Sequence, residues 1–578
     1  MNYFLKFRFL TGQNFRGIPL ILAACLLIAI FELVGLGIIG PYIQLVFSAE
    51  PGHDSYLDSL NSFFSLQSSS EVVIFWGVVT ISIFILKNLL SWLLQNFIIK
   101  FAYQNEFDLR TKFSTVILNM DLSSLSKRPS SEYINIMTRH ITQFTNQILM
   151  ATLKLFSEGL AFFFILVFLM VFYTLPTVFI LLILSLSISL YLFFVRNKIK
   201  LSGSDQATSF DSIIETVSNI IDGSKEIRIF SIKDFFLDNL KRESSKNKDA
   251  YFTYTSLQLV PRYMIEALLI SSIIGVTILM SLTGNSSTEI IATVGVFGIA
   301  AVRLMPGLLV ITNSLNNIKN AEHIFLELYD CLKDINISGH DHVLKKIEEV
   351  EELNKFEKFS IHDLSFAYPS QSTPVINSVN FEITKGESVG IIGRSGAGKT
   401  TFINLLLGLF NNYDGIMKLN NKILNNLNLS DWQKQIAYIP QEKFLVNGSI
   451  RDNIALGIPP NLVDEEKLLK AIQVANLDKM VSALPNGMNS LVGEDGKWVS
   501  GGQGQRLCLA RAIYFDREII ILDEATSSLD INTEDEIISE INNLSLSKTF
   551  IIISHRPSIL RNCNKVLELK SGRLTPIS

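Results

Sequence analysis

Six apolar stretches, each long enough to cross a lipid bilayer as a helix, dominate the N-terminal part of this chain and set what it can fold into. They run from Ile18 to Phe47, Val72 to Ile99, Leu149 to Phe172, Val178 to Val195, Met264 to Leu282 and Ile290 to Thr312. A helix rises about 1.5 Å per residue, so about 20 apolar residues cover the roughly 30 Å of hydrocarbon. Gly40-Pro41-Tyr42 falls inside the first stretch, and lipid-embedded helices tolerate such residues because neighbouring helices satisfy the freed backbone groups. Composition agrees: 48% of residues are hydrophobic and 18% charged, well below the roughly 25% charge of soluble domains. At 578 residues the chain exceeds what one core holds, so at least two domains are expected. The net charge of -4 is small for this length and points to no nucleic acid or other polyanionic partner. Cys25, Cys331, Cys508 and Cys563 lack the spacing of a zinc site and read as buried or idle thiols.

The loops orient the spans, because Lys and Arg collect on the cytoplasmic side. Ser48 to Glu71 holds Glu50, Asp54, Asp58 and Glu71 but no Lys or Arg, and Ser281 to Ser287 is uncharged, so both are expected outside. Arg196 to Ala250 carries ten basic residues, among them Arg196, Lys225, Arg228 and Arg242, and Lys100 to Arg139 carries six. Those loops are expected in the cytoplasm, with both termini. Each is too long for a turn and has helical apolar spacing, which predicts spans that extend beyond the bilayer. Each should end in a short crosswise helix, around Leu122 to Ile134 and around Glu226 to Asp238. The basic N-terminus lacks a cleavable signal pattern and predicts an elbow helix over 1–15. The expected organisation is then a transmembrane domain over 16–318, a charged linker over 319–358 and a nucleotide-binding domain over 359–578. No internal repeat is present, so the chain would supply one half of a two-fold assembly.

The C-terminal part carries the chemistry. A strand-like run, Glu387 to Ile392, leads into Gly393-Arg394-Ser395-Gly396-Ala397-Gly398-Lys399-Thr400-Thr401, the GxxxxGK[ST] spacing with helix following. Glycines at Gly393, Gly396 and Gly398 let backbone N–H groups wrap phosphates at a helix N-terminus beside Ser395 and Thr401. Lys399 reaches the β- and γ-phosphates and the Thr400 hydroxyl binds Mg²⁺. A second apolar strand, Glu518 to Leu522, ends in Asp523, placed for Mg²⁺ through water, and Glu524, placed as general base for an attacking water. ATP and Mg²⁺ are the cofactors these residues predict.

Val499-Ser500-Gly501-Gly502-Gln503 narrows the family: it resembles the LSGGQ signature of the ABC ATPases, with Val in place of Leu. The resemblance implies roles for Tyr368 as the aromatic that stacks on adenine, Gln441 as the Q-loop glutamine and metal contact, Ser527 to Asp530 as the D-loop, and His555 as the switch histidine. Gly493 to Gly496 is similar to the exporter-type contact with the coupling helices. In this family the signature of one subunit caps the ATP held by the other, which implies a dimer. With Lys399, Glu524, Ser500 and His555 all present, a homodimer with two competent sites is the expected assembly. The fold class implied is an α-helical transmembrane domain of six spans, ABC exporter type, followed by an α/β P-loop ABC ATPase domain.

Three cations stand at or near membrane depth: Lys87, Arg262 and Arg303. A central, uncompensated one costs about 2.5 to 3.5 kcal/mol, so something offsets each. Pairing or snorkelling is one account, with Glu266 four residues from Arg262 and Glu158 in the third span. An anionic headgroup is the other, a diphosphate suiting planar Arg donors. Val260 to Glu266 and Ala301 to Gly307 resemble segments of the lipid-linked oligosaccharide flippases of bacterial N-glycosylation, homodimers of the inner membrane that move an undecaprenyl-diphosphate glycan. That resemblance implies that Lys87, Arg262 and Arg303 engage the diphosphate, with Val310 where a further cation is expected. Asp54 to Leu66 has the spacing of a short amphipathic external helix, which the resemblance ties to the polyprenyl tail and packing alone would also explain. Export of another amphiphile, such as lipid A, a hydrophobic drug or a peptide, is the rival reading. A non-transporting regulatory ATPase is a rival of another class.

Overall fold

In a computed structural model, residues 3–47, 69–282, 287–343, 356–368, 373–425, 428–493, 496–524, 548–554, 556–561 and 563–577 are described. They form two compact units, Met1–Leu118 with Pro129–Asn336, and Asn119–Arg128 with Ile337–Ser578.

The first unit is helical. A short α1 (Tyr3–Thr11) and a 3-10 segment lead into α2 (Ile18–Phe47). Then follow α3 (Ser69–Asn119), α4 (Met150–Phe172), α5 (Thr174–Asp222), α6 (Lys233–Leu282), α7 (Ser287–Asn320) and α8 (Glu322–Val343). Among the described residues five helices are long and apolar enough to cross a membrane, on Asn14–Ile39, Ser70–Asn119, Ser130–Phe172, Lys233–Leu282 and Glu289–Asn320. The fourth expected span, 178–195, lies on α5, where most side chains fall outside the described residues. At 51, 49 and 50 residues, α3, α5 and α6 run to about 75 Å, more than twice the hydrocarbon thickness. The long loops are therefore continuations of the spans. Leu36, Ile39, Ile165, Val276, Val296 and Phe297 form the core where α2, α4, α6 and α7 meet, while Ile81, Ile85, Leu89 and Trp92 of α3 stay exposed.

The crosswise helices are shorter than expected. Pro129 splits the first into Leu122–Leu125 and Ser130–Asn135, since proline cannot continue the hydrogen-bonded ladder of the preceding turn. The second covers Ser224–Ile229 and stops before Ser231, whose φ of 56° is incompatible with a right-handed helix. Part of the expected linker is helical, in α8, and 344–355 lies outside the described residues, as does the amphipathic segment Asp54 to Leu66.

The second unit has two sheets. Strands β1 (Lys358–Phe366), β2 (Ile376–Thr384), β4 (Asp414–Leu419) and β5 (Lys422–Ile423) make an antiparallel sheet in the order β2-β1-β4-β5. The other sheet has the order β10-β9-β3-β8-β7-β6. Here β3 (Ser388–Ile392), β6 (Ile436–Ile439), β7 (Ile519–Asp523), β8 (Thr549–Ile553) and β9 (Lys565–Lys570) run parallel, and β10 (Arg573–Pro576) pairs antiparallel at the edge. Every residue of β7 and β8 is buried, as uninterrupted apolar strands covered on both faces should be. Parallel strands present all their C-terminal ends on one edge, and both P-loop and carboxylates leave the sheet there.

Candidate functional site

The P-loop joins β3 to α9 (Lys399–Leu406). Gly398 has φ 99°, and a Cβ there would stand 3.2 Å from Val375, so the loop can reach the helix only through glycine. Lys399 Nζ donates to the Gly393 carbonyl at 2.7 Å, folding the lysine back over its own loop. It also lies 3.5 Å from Glu524 Oε1. Gln441 Nε2 donates to Glu524 Oε2 at 2.9 Å. Three stretches distant in sequence thus meet at one sheet edge: the P-loop with the start of α9, the end of β7 and the segment after β6.

Asp523 ends β7, buried, and Tyr438 on neighbouring β6 donates its hydroxyl to Asp523 Oδ2 at 3.2 Å. Burial pushes the Asp523 carboxyl above its ordinary range and the Glu524 charge adds to this, while the Tyr438 hydrogen bond and Lys399 pull the other way. Burial and the adjacent carboxylate push the Tyr438 phenol up in turn, so it remains a donor at neutral pH. Tyr438 was not legible as a site residue, because a tyrosine in an apolar strand reads as packing. Tyr368 packs edge-on against Phe366 and Phe410, and its hydroxyl lies 3.0 Å from Thr401 Oγ1, tying it to the first turn of α9. Thr400, Gln441 and Asp523 supply oxygen donors of the kind Mg²⁺ takes together with phosphates and water. No group of three or more His, Cys, Asp or Glu that could hold a metal occurs among the described residues.

Ser500 caps the helix Gly501–Tyr514, which we label α10. Its Oγ accepts from Gln503 N at 3.2 Å, and Gln503 Oε1 accepts from Ser500 N at 2.8 Å. This reciprocal box presents Gly501 and Gly502 at a 14-residue helix N-terminus, a ready anion-facing surface. Asp530 and His555 lie outside the described residues, with the rest of 525–530.

In the helical unit, Lys87 and Arg303 come together and Arg262 does not join them. Arg303 Nε lies 2.5 Å from Glu32 Oε1, and Nη1 lies 3.0 Å from Glu158 Oε2. Lys87 Nζ lies 3.5 Å from the same Glu32 oxygen. The pairing account thus describes two of the three cations, with Glu32 an additional member whose signal, a carboxylate inside an apolar span, was present in the sequence. Arg262 and Glu266 are both exposed, and no ion pair joins them among the described residues.

The family model for the ABC transporter transmembrane region matches residues 26–318, and that for the ABC transporter ATPase matches 376–527. The chain is 27% identical over 389 residues to an ATP-dependent lipid A-core flippase of Methylobacillus flagellatus, covering 66% of this chain and 64% of that protein. It is 37% identical over 217 residues to the flippase of the same name from Saccharophagus degradans, covering 38% of this chain and 36% of that one. It is 35% identical over 219 residues to the multidrug resistance protein pgp-1 of Caenorhabditis elegans, covering 38% of this chain and 16% of that protein. The matched region therefore spans less than two thirds of each of these relatives. A bacterial Atm1-family ABC exporter solved with ATP bound shares the fold at a TM-score of 0.73 and 17% identity, over 96% of this chain and 95% of that one.

Proposed function

Since this chain belongs to the ABC transporter family and carries both its transmembrane region and its ATPase domain, we propose that it is one half of an ATP-driven exporter. As a homodimer it would flip a polyprenyl-diphosphate-linked oligosaccharide across a bacterial inner membrane. The observation that carries the ATPase reading is the convergence of Lys399, Gln441, Asp523 and Glu524 on one edge of a parallel sheet. Lys399 leans on the Gly393 carbonyl and Glu524. Phosphate oxygens are stronger acceptors for an ammonium than a carbonyl, so ATP draws Lys399 onto the β- and γ-phosphates and leaves Glu524 facing the attacking water. Thr400, Gln441 and Asp523 would hold Mg²⁺, which would supply positive charge against the phosphates. Glu524 accepts the proton of that water, His555 contacts the γ-phosphate, and Ser500 to Gln503 of the second copy close the site. Tyr368 carries the adenine, and Asp530 belongs to the D-loop by its match to the family motif. The ATPase domain and both termini face the cytoplasm in this reading.

The lipid reading rests on the cations Lys87, Arg262 and Arg303 of the helical unit, of which Lys87 and Arg303 meet at Glu32. A diphosphate supplies enough oxygen acceptors to engage two guanidinium groups and an ammonium. A second reading, export of a lipid A core, is supported by the names of the relatives. Lipid A also carries phosphates, so the headgroup alone does not separate the two. Purified dimer in liposomes separates them by ATPase stimulation. An undecaprenyl-diphosphate glycan should raise ATP turnover severalfold while lipid A does not; stimulation by lipid A alone would sink the oligosaccharide reading. ATP turnover that no lipid stimulates would favour a regulatory ATPase over transport.

A further inference from the structure

The charges at the centre of the helical unit close on themselves. Glu32 on α2, Lys87 on α3, Glu158 on α4 and Arg303 on α7 form one cluster of two cations and two carboxylates, formally neutral. Its inner part is dry, with the Glu32 and Lys87 side chains 3% and 10% exposed. Its outer part is open, with Glu158 at 15% and Arg303 at 27%. Glu32 Oε2 is buried without a hydrogen-bond partner among the described residues. A clamp selected only for stability would satisfy that oxygen, because a buried unpaired acceptor costs about 1 to 3 kcal/mol, and more when charged. Gly307 lies one turn beyond Arg303, where a Cβ would stand 3.1 Å from Glu158 Oε2 and 3.7 Å from Arg303 Nη1. The glycine keeps open the space in which that pair forms and separates.

Carboxylate and phosphate oxygens take the same donors in the same forked geometry. We propose that Glu32 and Glu158 are internal counter-ions that hold Arg303 and Lys87 until a lipid binds, and that the phosphate oxygens of an anionic lipid headgroup replace them. This rests on the reading of these cations as the headgroup site. The arrangement is a filter. A bare pair of cations would collect any phospholipid, whereas here an entering headgroup must outcompete two carboxylates already in place. The phosphodiester of a phospholipid brings one negative charge against the two of the carboxylates, whereas a diphosphate brings at least two, so abundant lipids are refused by built-in competition. Exchange begins at the open edge, with Glu158 leaving Arg303 first.

The test uses the purified full chain in detergent without nucleotide. The probes are farnesyl diphosphate, farnesyl monophosphate and lipid A. Glu158→Gln gives the cluster one net positive charge, and it should bind farnesyl diphosphate about tenfold more tightly than wild type and narrow the gap between diphosphate and monophosphate. Glu158→Asp keeps the charge and should bind as wild type does. If Glu158→Gln tightens lipid A binding alone, the counter-ion role stands and the polyprenyl reading falls. If wild type binds farnesyl diphosphate and Glu158→Gln binds it no more tightly, the counter-ion role is overturned and the substrate reading survives. If no probe binds any variant, both fall. Should Glu158→Gln fail to fold, hydrophobic carbodiimide labelling of wild type reads the same event: a bound headgroup should raise modification at Glu158, and unchanged labelling under a saturating probe overturns the exchange.

Discussion

Glu524 sits at a φ of 47°, a left-handed backbone that only glycine adopts freely. That conformation turns the chain out of β7 so that the carboxylate meets Gln441 and Lys399 instead of continuing into the sheet. Glu524→Gln keeps the shape and removes the base, so ATP should bind without turnover, with phosphate release down about 10² to 10⁴-fold. Wild-type release would remove Glu524 from the role. Glu524→Gly should be equally inactive yet melt no lower than wild type, because it relieves the backbone strain. Tyr438 carries a pH prediction. Its hydroxyl stabilises ionised Asp523 against burial, so Tyr438→Phe raises the Asp523 pKa further, and at a given acidic pH fewer sites hold the carboxylate that Mg²⁺ needs. The Mg²⁺ concentration that half-saturates ATPase activity should rise about tenfold at acidic pH, the scale of one charged hydrogen bond, and recover as pH rises. An equal loss at all pH values would mean that Tyr438 only packs. Lys399, Asp523 and Glu524 were legible because motif spacing fixes them beside their strands. Tyr438 was hidden because its partner lies 85 residues away, a pairing that only the β6–β7 register creates.

At the scale of elements, five of the six apolar runs coincide with membrane-length helices among the described residues, and the runs understate helix length, since hydropathy marks where lipid ends and not where a helix does. The segment Asn119–Arg128 shows what such a reading cannot give. It belongs with the ATPase unit, where Leu122 N donates to the Leu409 carbonyl at 2.9 Å. Asp121 caps its short helix by accepting from Ser124 N at 3.3 Å. Burial pushes the Asp121 carboxyl up, but hydrogen bonds from Ser123 and Ser124 and the nearby Lys127 outweigh it and leave it below the usual range. A carboxyl depressed in the folded state stabilises it above the ordinary Asp range, and that contribution is lost as pH falls through the depressed value. Asp121→Ala should cost about 1 kcal/mol locally. Hydrogen exchange at Leu122 to Ser126 should quicken in the variant at neutral pH, and by less at strongly acidic pH, where wild type has also lost its cap. Stimulation of ATPase activity by lipid should fall while basal turnover holds. Unchanged exchange would mean that contacts other than the cap hold the segment.

Two-fold assembly is an argument about the whole molecule, because the two halves of a nucleotide site lie at different points on one chain. Ser500 spends its side chain on the helix α10 in the capping box with Gln503, and in the proposed dimer the glycines it presents face the P-loop of the second copy. Homodimers of Lys399→Ala lack both phosphate grips and homodimers of Ser500→Arg lack both caps, so each should be inactive. In a mixed dimer one site combines the two defects, and the other pairs an intact Lys399 with an intact Ser500. Equal co-expression yields about half mixed dimers, each with one complete site out of two. ATPase activity should therefore return to roughly a quarter of wild type if the sites fire independently. Tandem affinity tags isolate the mixed species and raise the expectation to about half. Activity in the mixed species with none in either parent requires sites shared between copies. A mixed species as inactive as both parents would mean that one site cannot fire alone or that each chain completes its own, and adding Glu524→Gln to one arm of an otherwise wild-type dimer separates these. Loss of all activity then indicates obligate coupling of the two shared sites, and retention of half indicates chains that work alone.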